Sequence, residues 1–151
     1  MGNDIRKAQD GFRWDSVDLL AYKEEGAAPF KSITRQTLFH DSRLGCELRY
    51  FEVAPGGYST LERHEHVHAV MILRGQGQCL LADAVTEVGP HDLVTIPSWT
   101  WHQFHASRFE PLGFLCMVNR ERDKPQLPND EERGELEKVL GRADNQKEDR
   151  E

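Results

Sequence analysis

The sequence predicts an all-β domain, because short apolar runs rich in β-branched and aromatic residues recur between residues 33 and 119. Turn signals containing glycine or proline separate the runs at intervals of about 8–12 residues, as in many β-sandwiches and barrels. The 151 residues, of which 38% are hydrophobic, suit one domain with a substantial core. In chain order the runs are ITRQTLFH (33–40), CELRYFEVA (46–54), VHAVMILR (67–74), QCLLADA (78–84), DLVTIP (92–97), WHQFHA (101–106) and LGFLCMV (112–118).

The segment before the barrel, residues 1–32, is predicted to be an N-terminal extension. A short helix is expected around residues 14–23, where Trp14, Val17 and Leu20 could share one face. The separators between the later strands, among them the PGG at 55–57, are expected to be turns.

The segment after the barrel, residues 120–143, reads as a polar connector and a short helix over 131–143. Leu136, Val139 and Leu140 have helical spacing there, and Asn129 or Asp130 is the expected N-cap. The tail, residues 144–151, has no apolar residue and is expected to be disordered.

Charge and composition argue against several classes of partner. The formal net charge of −7 disfavours nucleic acid and anionic membranes, which both attract clustered Lys and Arg. No apolar run approaches the roughly 20 residues needed to cross a bilayer, and the N-terminus shows no secretory signal. Cys46, Cys79 and Cys116 are scattered without a CxxC, so we expect a cytoplasmic protein in a reducing compartment.

The segment STLERHEHVHAVMILRGQG (59–77) carries His64, His66 and His68 at alternate positions, with Glu62 two residues before the first of them. Residues two apart share one face of a strand, and imidazoles and carboxylates are ligands for divalent metals. A second candidate, His102, follows a proline-containing turn at the head of a later run. Together these segments predict a compact metal site with open coordination positions.

At these residues the sequence resembles the cupin superfamily of small β-barrels. The first cupin motif is Gly, five residues, His-x-His, three or four residues, Glu, six residues, Gly. This chain matches its spacing from Gly56 to Gly75, with Glu62 and His68 standing where the motif has His and Glu. The resemblance therefore implies a jelly-roll-type barrel whose metal ligands are Glu62, His64, His68 and His102.

The second cupin motif matches at Asp92, Pro97 and His102. It departs from the family pattern where His91, Trp99 and Ala106 replace two glycines and an asparagine, changes that affect turn geometry more than ligation. The resemblance covers about residues 33–118. In this register His66 lies between two ligand positions and is not itself a ligand. It is expected to be a pocket group that orients Glu62 or acts as an acid or base. A competing ligand set consists of His64, His66 and His102, with His68 as a bystander.

Three imidazoles, one carboxylate and water favour Mn, Fe, Co or Ni over copper, with Zn as a further alternative. Cys116 shares one strand face with Leu112, Phe114 and Val118 by alternation. If that face points inward, the thiol enters the barrel beside the metal, whose charge would favour the thiolate. A lone Cys on a strand is otherwise a small buried hydrophobe.

A narrower similarity is carried by three segments, TLERHEHVHAVMILRGQG (60–77), VTIPSWTWHQFHA (94–106) and PLGFLCMVNRERDKPQLP (111–128). Together they resemble small bacterial cupins that process 1-methylthioxylulose 5-phosphate in methylthioadenosine salvage. It implies a Mn-dependent enzyme that transfers the methylthio group to glutathione and yields 1-deoxyxylulose 5-phosphate. Cys116 is then the candidate nucleophile, and His66 or His105 is a candidate proton shuttle. The sequence does not single out one cation for an anionic substrate among Arg49, Arg108, Arg120, Arg122 and Lys124.

Other activities use the same ligand set, because the cupin barrel hosts many functions. An iron-dependent dioxygenase and a sugar-phosphate isomerase are the enzymatic alternatives, and a non-catalytic metal-coupled binding protein is the third. By analogy with other cupins we expect a homodimer.

Overall fold

The computed structural model describes residues 5–22 and 31–148. Within them a single curled antiparallel sheet of nine strands dominates. Its strands are β3 (Leu20–Ala21), β4 (Lys31–His40), β5 (Cys46–Tyr58), β6 (His68–Arg74), β7 (Gly77–Leu81), β8 (Ala84–Val88), β9 (Leu93–Ile96), β10 (His102–Ala106) and β11 (Leu112–Asn119). Seven of them follow the order β8-β7-β10-β5-β11-β6-β9, and β4 and β3 continue from β5. A separate hairpin pairs β1 (Ala8–Gln9) with β2 (Arg13–Trp14). The predicted all-β architecture is confirmed.

The inward side chains form one apolar core. On β11 the burial alternates as the sequence predicts, with Leu112, Phe114, Cys116 and Val118 buried and Met117 exposed. The long strand β5 pairs with β4 along one edge and with β11 along the other. Inward-facing groups from these three strands therefore meet in the same interior space.

Part of the N-terminal extension differs from the prediction. Residues 14–22 form no helix: Trp14 lies in β2, and its ring packs edge-on against Tyr50 at 5.2 Å between centroids. Leu20 of β3 pairs with Arg35 of β4. The segment therefore joins the sheet as a short strand, although its apolar spacing suits a helix. Residue 23, the last of the predicted helix, lies outside the described residues.

Two predicted boundaries within the barrel are also wrong. The PGG at 55–57 lies inside β5, where Gly56 adopts a φ of +72°. The run QCLLADA is split by a turn at Ala82, whose φ is +57°, and its end begins β8. The sequence pattern does not predict β8, because this strand is mostly exposed and only modestly apolar.

The C-terminal helix α1 (Asp130–Glu148) is longer than predicted, so residues 144–148 are helical where disorder was expected. Its N-cap is Asn129, one of the two expected residues. The Asn129 side chain accepts from the Glu132 N–H at 2.8 Å, and Glu132 accepts in return from the Asn129 N–H. The helix contacts β8 at the sheet edge. Neither α1 nor any other described segment has the length and apolarity of a membrane-crossing helix.

Candidate metal centre

Three imidazoles converge inside the barrel. The ligating nitrogens of His64, His68 and His102 lie within 4.8 Å of one another. His68 and His102 are the first residues of β6 and β10, while His64 lies in the connection after β5. An antiparallel bridge between Glu62 and His102 brings the two segments together, since each N–H donates to the other's carbonyl. Residues 38 positions apart in the chain, 64 and 102, thus reach one centre.

Hydrogen bonds set the tautomers that metal binding requires. His64 donates from Nδ1 to the carbonyl of His66 at 2.7 Å, and His102 donates from Nδ1 to the carbonyl of Thr100 at 2.9 Å. In a neutral ring this places the lone pair on Nε2, facing a ligand. Nε2 of His68 is buried and has no hydrogen-bond partner among the described residues. The donor set therefore fits a divalent metal ion.

Burial keeps two of these rings, those of His68 and His102, uncharged. It lowers the pKa of His68 to about 2, and the charges of the neighbouring imidazoles add to this effect. It lowers the pKa of His102 to about 4, although the hydrogen bond to Thr100 opposes the shift. Both rings are thus neutral near pH 7, which is the form that ligates a metal.

The remaining predicted ligand, Glu62, lines the interior cavity into which the three imidazoles face. Its carboxylate is not among the three ligating groups that converge, so its coordination stays a prediction. In the described part of the chain, the nitrogens that converge are those of His64, His68 and His102, not those of the competing set with His66 in place of His68.

Cys116 lies against the imidazole cluster. Its side chain is 2% exposed, and its Sγ is 3.1 Å from Nδ1 of His68. If His68 ligates a metal through Nε2, its proton resides on Nδ1 and is donated to this sulfur. Burial raises the pKa of the Cys116 thiol, against the charge and hydrogen bond of Arg49, so the protein groups alone favour the neutral thiol.

His66 is fixed by an aspartate from the C-terminal connector. Its ring stacks on His64 with 3.6 Å between centroids, and its Nδ1 lies 2.7 Å from Oδ1 of Asp123. Asp123 also accepts from the backbone N–H groups of His66 and Glu65. Partial burial raises the pKa of Asp123, but these hydrogen bonds outweigh it and hold the pKa well below its usual range. His66 therefore has a set orientation beside the three converging rings.

All these groups line one cavity of about 270 Å³. Its apolar walls come from Val70, Phe104 and Phe114, and three arginines also reach it. A space of this size, mostly apolar with a few convergent polar groups, suits a small-molecule ligand. The arginines are Arg35, Arg49 and Arg122.

Comparison with known proteins agrees with this architecture. The cupin domain family matches residues 49–118. A Rhodospirillum rubrum protein named 1-methylthio-D-xylulose 5-phosphate methylsulfurylase is 64% identical over 126 residues, which cover 83% of this chain and 81% of that protein. The chain belongs to the cupin family.

Two solved cupin structures superpose on nearly the whole of this cupin. A cupin 2 conserved barrel domain protein from Rhodopseudomonas palustris is 54% identical with a TM-score of 0.84, over 93% of this chain and 97% of that chain. A cupin-2 domain from Rhodospirillum rubrum is 57% identical with a TM-score of 0.81, over 94% and 97% of the two chains.

The departures from the second cupin motif leave the turns intact in this cupin. His91 and Trp99 occupy two glycine positions of the motif, and both adopt left-handed backbone conformations, with φ of +75° and +56°. Such conformations cost a non-glycine residue on the order of 1 kcal/mol. The second turn is anchored to the imidazole cluster, because the Trp99 N–H donates to the carbonyl of His64 at 2.7 Å.

The structure adds two cavity residues that the sequence did not single out. Asp123 fixes His66 from a polar connector, and no spacing pattern links positions 57 residues apart. Arg35 shares the inward face of β4 with Ile33, so the alternation of that strand was the available signal. Of the five cations considered from sequence, only Arg49 and Arg122 line this cavity among the described residues.

Proposed function

We propose that this cupin transfers the methylthio group of 1-methylthio-D-xylulose 5-phosphate to a thiol such as glutathione, leaving 1-deoxy-D-xylulose 5-phosphate. The observation that carries the proposal is the Cys116 sulfur, 3.1 Å from a ring of the imidazole cluster and inside the substrate-sized cavity. The 64% identity to a protein named as a methylsulfurylase supports it.

The proposed cofactor is a divalent ion, Mn first, with Fe, Co, Ni and Zn as alternatives. His64, His68 and His102 would hold it, with Glu62 as the predicted fourth ligand. When bound, such an ion polarises the ketose carbonyl and stabilises negative charge on its oxygen. Water ligands would leave room for substrate oxygens.

In the first step the Cys116 thiolate attacks the methylthio sulfur of the substrate. A sulfur–sulfur bond forms, the carbon–sulfur bond breaks, and its electron pair passes to C1 as an enolate conjugated with the C2 carbonyl. Two groups favour negative charge on Cys116: the Nδ1–H of His68 and the guanidinium of Arg49. His66, oriented by Asp123, donates the proton that converts C1 to a methyl group.

In the second step the glutathione thiolate attacks the methylthio sulfur of the mixed disulfide. The new disulfide is glutathione methyl disulfide, and the Cys116 thiolate leaves, as in ordinary thiol–disulfide exchange. Over both steps the substrate carbon is reduced by the electron pair that glutathione gives up in becoming a disulfide. The net reaction therefore needs no other oxidant or reductant.

The covalent step is tested with Cys116→Ser, with Cys79→Ser as the control. Both cysteines are 2% exposed on strands, but Cys79 lies in the core outside the cavity. We expect Cys116→Ser to lose turnover by at least about 1000-fold, because a hydroxyl is a far weaker nucleophile toward sulfur, while metal content stays normal. Cys79→Ser should remain active.

Mass spectrometry of wild-type protein given substrate without glutathione should show one added methylthio group on Cys116. An active Cys116→Ser variant would refute the covalent step. It would favour an isomerase, which needs the enolate but no thiol, or a dioxygenase, which oxygen consumption by iron-loaded protein would reveal.

We further propose a homodimer in the cytoplasm. Supporting the dimer is an exposed apolar strip on the outer sheet face, in which Met71 of β6 lies directly opposite Leu93 of β9. Met117 of β11 extends the strip and is 52% exposed. Contiguous exposed apolar groups of this kind are typical of protein interfaces. The three free cysteines among the described residues agree with a reducing compartment.

A further inference from the structure

Arg35 lies on the inward face of β4, in the row next to the one that holds Cys116. Strand pairing places Cys116 opposite Arg49 and Arg49 opposite Thr37 in one row across β11, β5 and β4. The row containing Phe114, Phe51 and Arg35 is two residues further along β5. The two rows are about 7 Å apart along the strands.

The buried part of the Arg35 guanidinium is not satisfied by the described residues. Its Nε is buried and makes no hydrogen bond among the described residues. None of the described carboxylates forms an ion pair with it. Burying part of a cation without a counter-charge is unfavourable, so the arrangement is typical of a site that receives its anion from a ligand.

The other cations of the cavity are already engaged. Arg122 donates to Glu47 at 2.9 Å and to the carbonyl of Asn119 at 3.0 Å. Arg49 lies 3.7 Å from Glu47, which supplies its counter-charge, although its buried Nε makes no hydrogen bond among the described residues. Of the three arginines that line the cavity, Arg35 is thus the one that forms no ion pair with a described carboxylate.

Aromatic rings preorganise this guanidinium. It lies over the Tyr22 ring, 5.9 Å from the centroid, and Tyr22 packs edge-on against Phe51 at 5.1 Å. A guanidinium held in this way loses little further side-chain entropy on binding an anion. A buried hydroxyl, Thr60 Oγ1, lines the same cavity and has no hydrogen-bond partner among the described residues.

We infer that Arg35 is the residue that binds the phosphate of the substrate, with the Thr60 hydroxyl as an additional donor. The inference rests on the proposed function, which supplies a phosphorylated ketose. A planar guanidinium fork matches two phosphate oxygens, whereas the protein as a whole, at a net charge of −7, repels anions. A five-carbon chain with sulfur at one end and phosphate at the other can span the offset between the two rows. Arg35 then determines specificity for phosphorylated over free ketoses.

The test compares Arg35→Gln and Arg35→Lys with Arg43→Gln, an exposed arginine remote from the cavity as control. Calorimetry measures the affinity of each metal-loaded protein for D-xylulose 5-phosphate and for D-xylulose. Wild-type protein should prefer the phosphate ester. Arg35→Gln should weaken binding of D-xylulose 5-phosphate by about tenfold or more, because the charge-assisted hydrogen bonds to the ester are lost. Binding of D-xylulose should not change.

The lysine variant should recover only part of the affinity, because it restores the charge but not the fork. In turnover assays Arg35→Gln should raise KM with little change in kcat. If Arg35→Gln binds the phosphate ester as wild-type protein does, or if wild-type protein does not prefer the ester, the inference is overturned.

The two hypotheses fail separately. Loss of phosphate-ester binding in Arg35→Gln, without any turnover of the methylthio ketose phosphate by wild-type protein, would leave the phosphate site standing and reject the proposed function. Turnover of the methylthio ketose phosphate by wild-type protein, with an unchanged KM in Arg35→Gln, would support the proposed function and reject the phosphate site.

Discussion

Acid should destabilise the metal-free protein through its buried histidines. In the unfolded chain His68 and His102 take up protons near pH 6.5, whereas in the native protein burial lowers their pKa values to about 2 and about 4. Below pH 6.5 the unfolded state therefore binds more protons. The contribution of the two neutral rings to the free energy of unfolding is complete above pH 6.5. It is lost as the pH falls towards 4 for His102, and at still lower pH for His68.

The size of the effect follows from the same shifts. Between pH 7 and pH 5 each histidine should lower the free energy of unfolding by about 2 kcal/mol, or about 4 kcal/mol for the pair. That is a large part of the roughly 5–15 kcal/mol that stabilises a typical domain. Urea unfolding of chelator-treated protein at the two pH values measures it.

A variant isolates the contribution of one ring. His68→Gln removes one titrating group, so its loss between pH 7 and pH 5 should be smaller than that of wild-type protein by about 2 kcal/mol. His40→Gln, at an exposed position, should keep the full wild-type dependence. Equal losses in wild-type protein and His68→Gln would show that burial does not hold this ring neutral, and the reasoning about its ligating form would be wrong.

Two further predictions concern the proton shuttle and the dimer. Asp123→Asn should lower kcat more than it raises KM and leave metal content unchanged, because a neutral amide orients His66 less firmly. Asp83→Asn, at an exposed position, is the control and should match wild-type kinetics. A normal kcat in Asp123→Asn would exclude a role of Asp123 in orienting the proton shuttle. Met71→Lys should convert the dimer to a monomer in light scattering after gel filtration, because a charge opposite Leu93 disrupts an apolar interface; a wild-type monomer would reject the dimer.

Much of the barrel was predictable because a strand imposes a two-residue period on its side chains. On β11 that period predicted that Cys116 shares one face with Leu112 and Phe114, and the structure shows all three buried. Motif spacing likewise selected His64, His68 and His102, whose nitrogens converge. These predictions succeed because each depends on the local backbone or on a pattern shared by the family.

Other features depended on which distant segments meet. The apolar spacing after Trp14 fits a helix, yet pairing of Leu20 with Arg35 makes the segment a strand. A sheet edge supplies backbone hydrogen bonds that outweigh a weak helical tendency. The same is true of residues 55–57, which read as a turn but continue β5.

The sequence by itself determined the barrel class, the chemical types of the ligands and the strand face that holds the thiol, since these follow from residue identity and periodicity. Only the tertiary structure decided that Asp123 fixes His66, that Cys116 touches His68, and that the buried Nε of Arg35 makes no hydrogen bond among the described residues. The physical reason is that counter-charges and hydrogen-bond partners come from strands and connectors far apart in the chain. Their pairing is set by packing of the whole sheet, and no short segment of sequence encodes it.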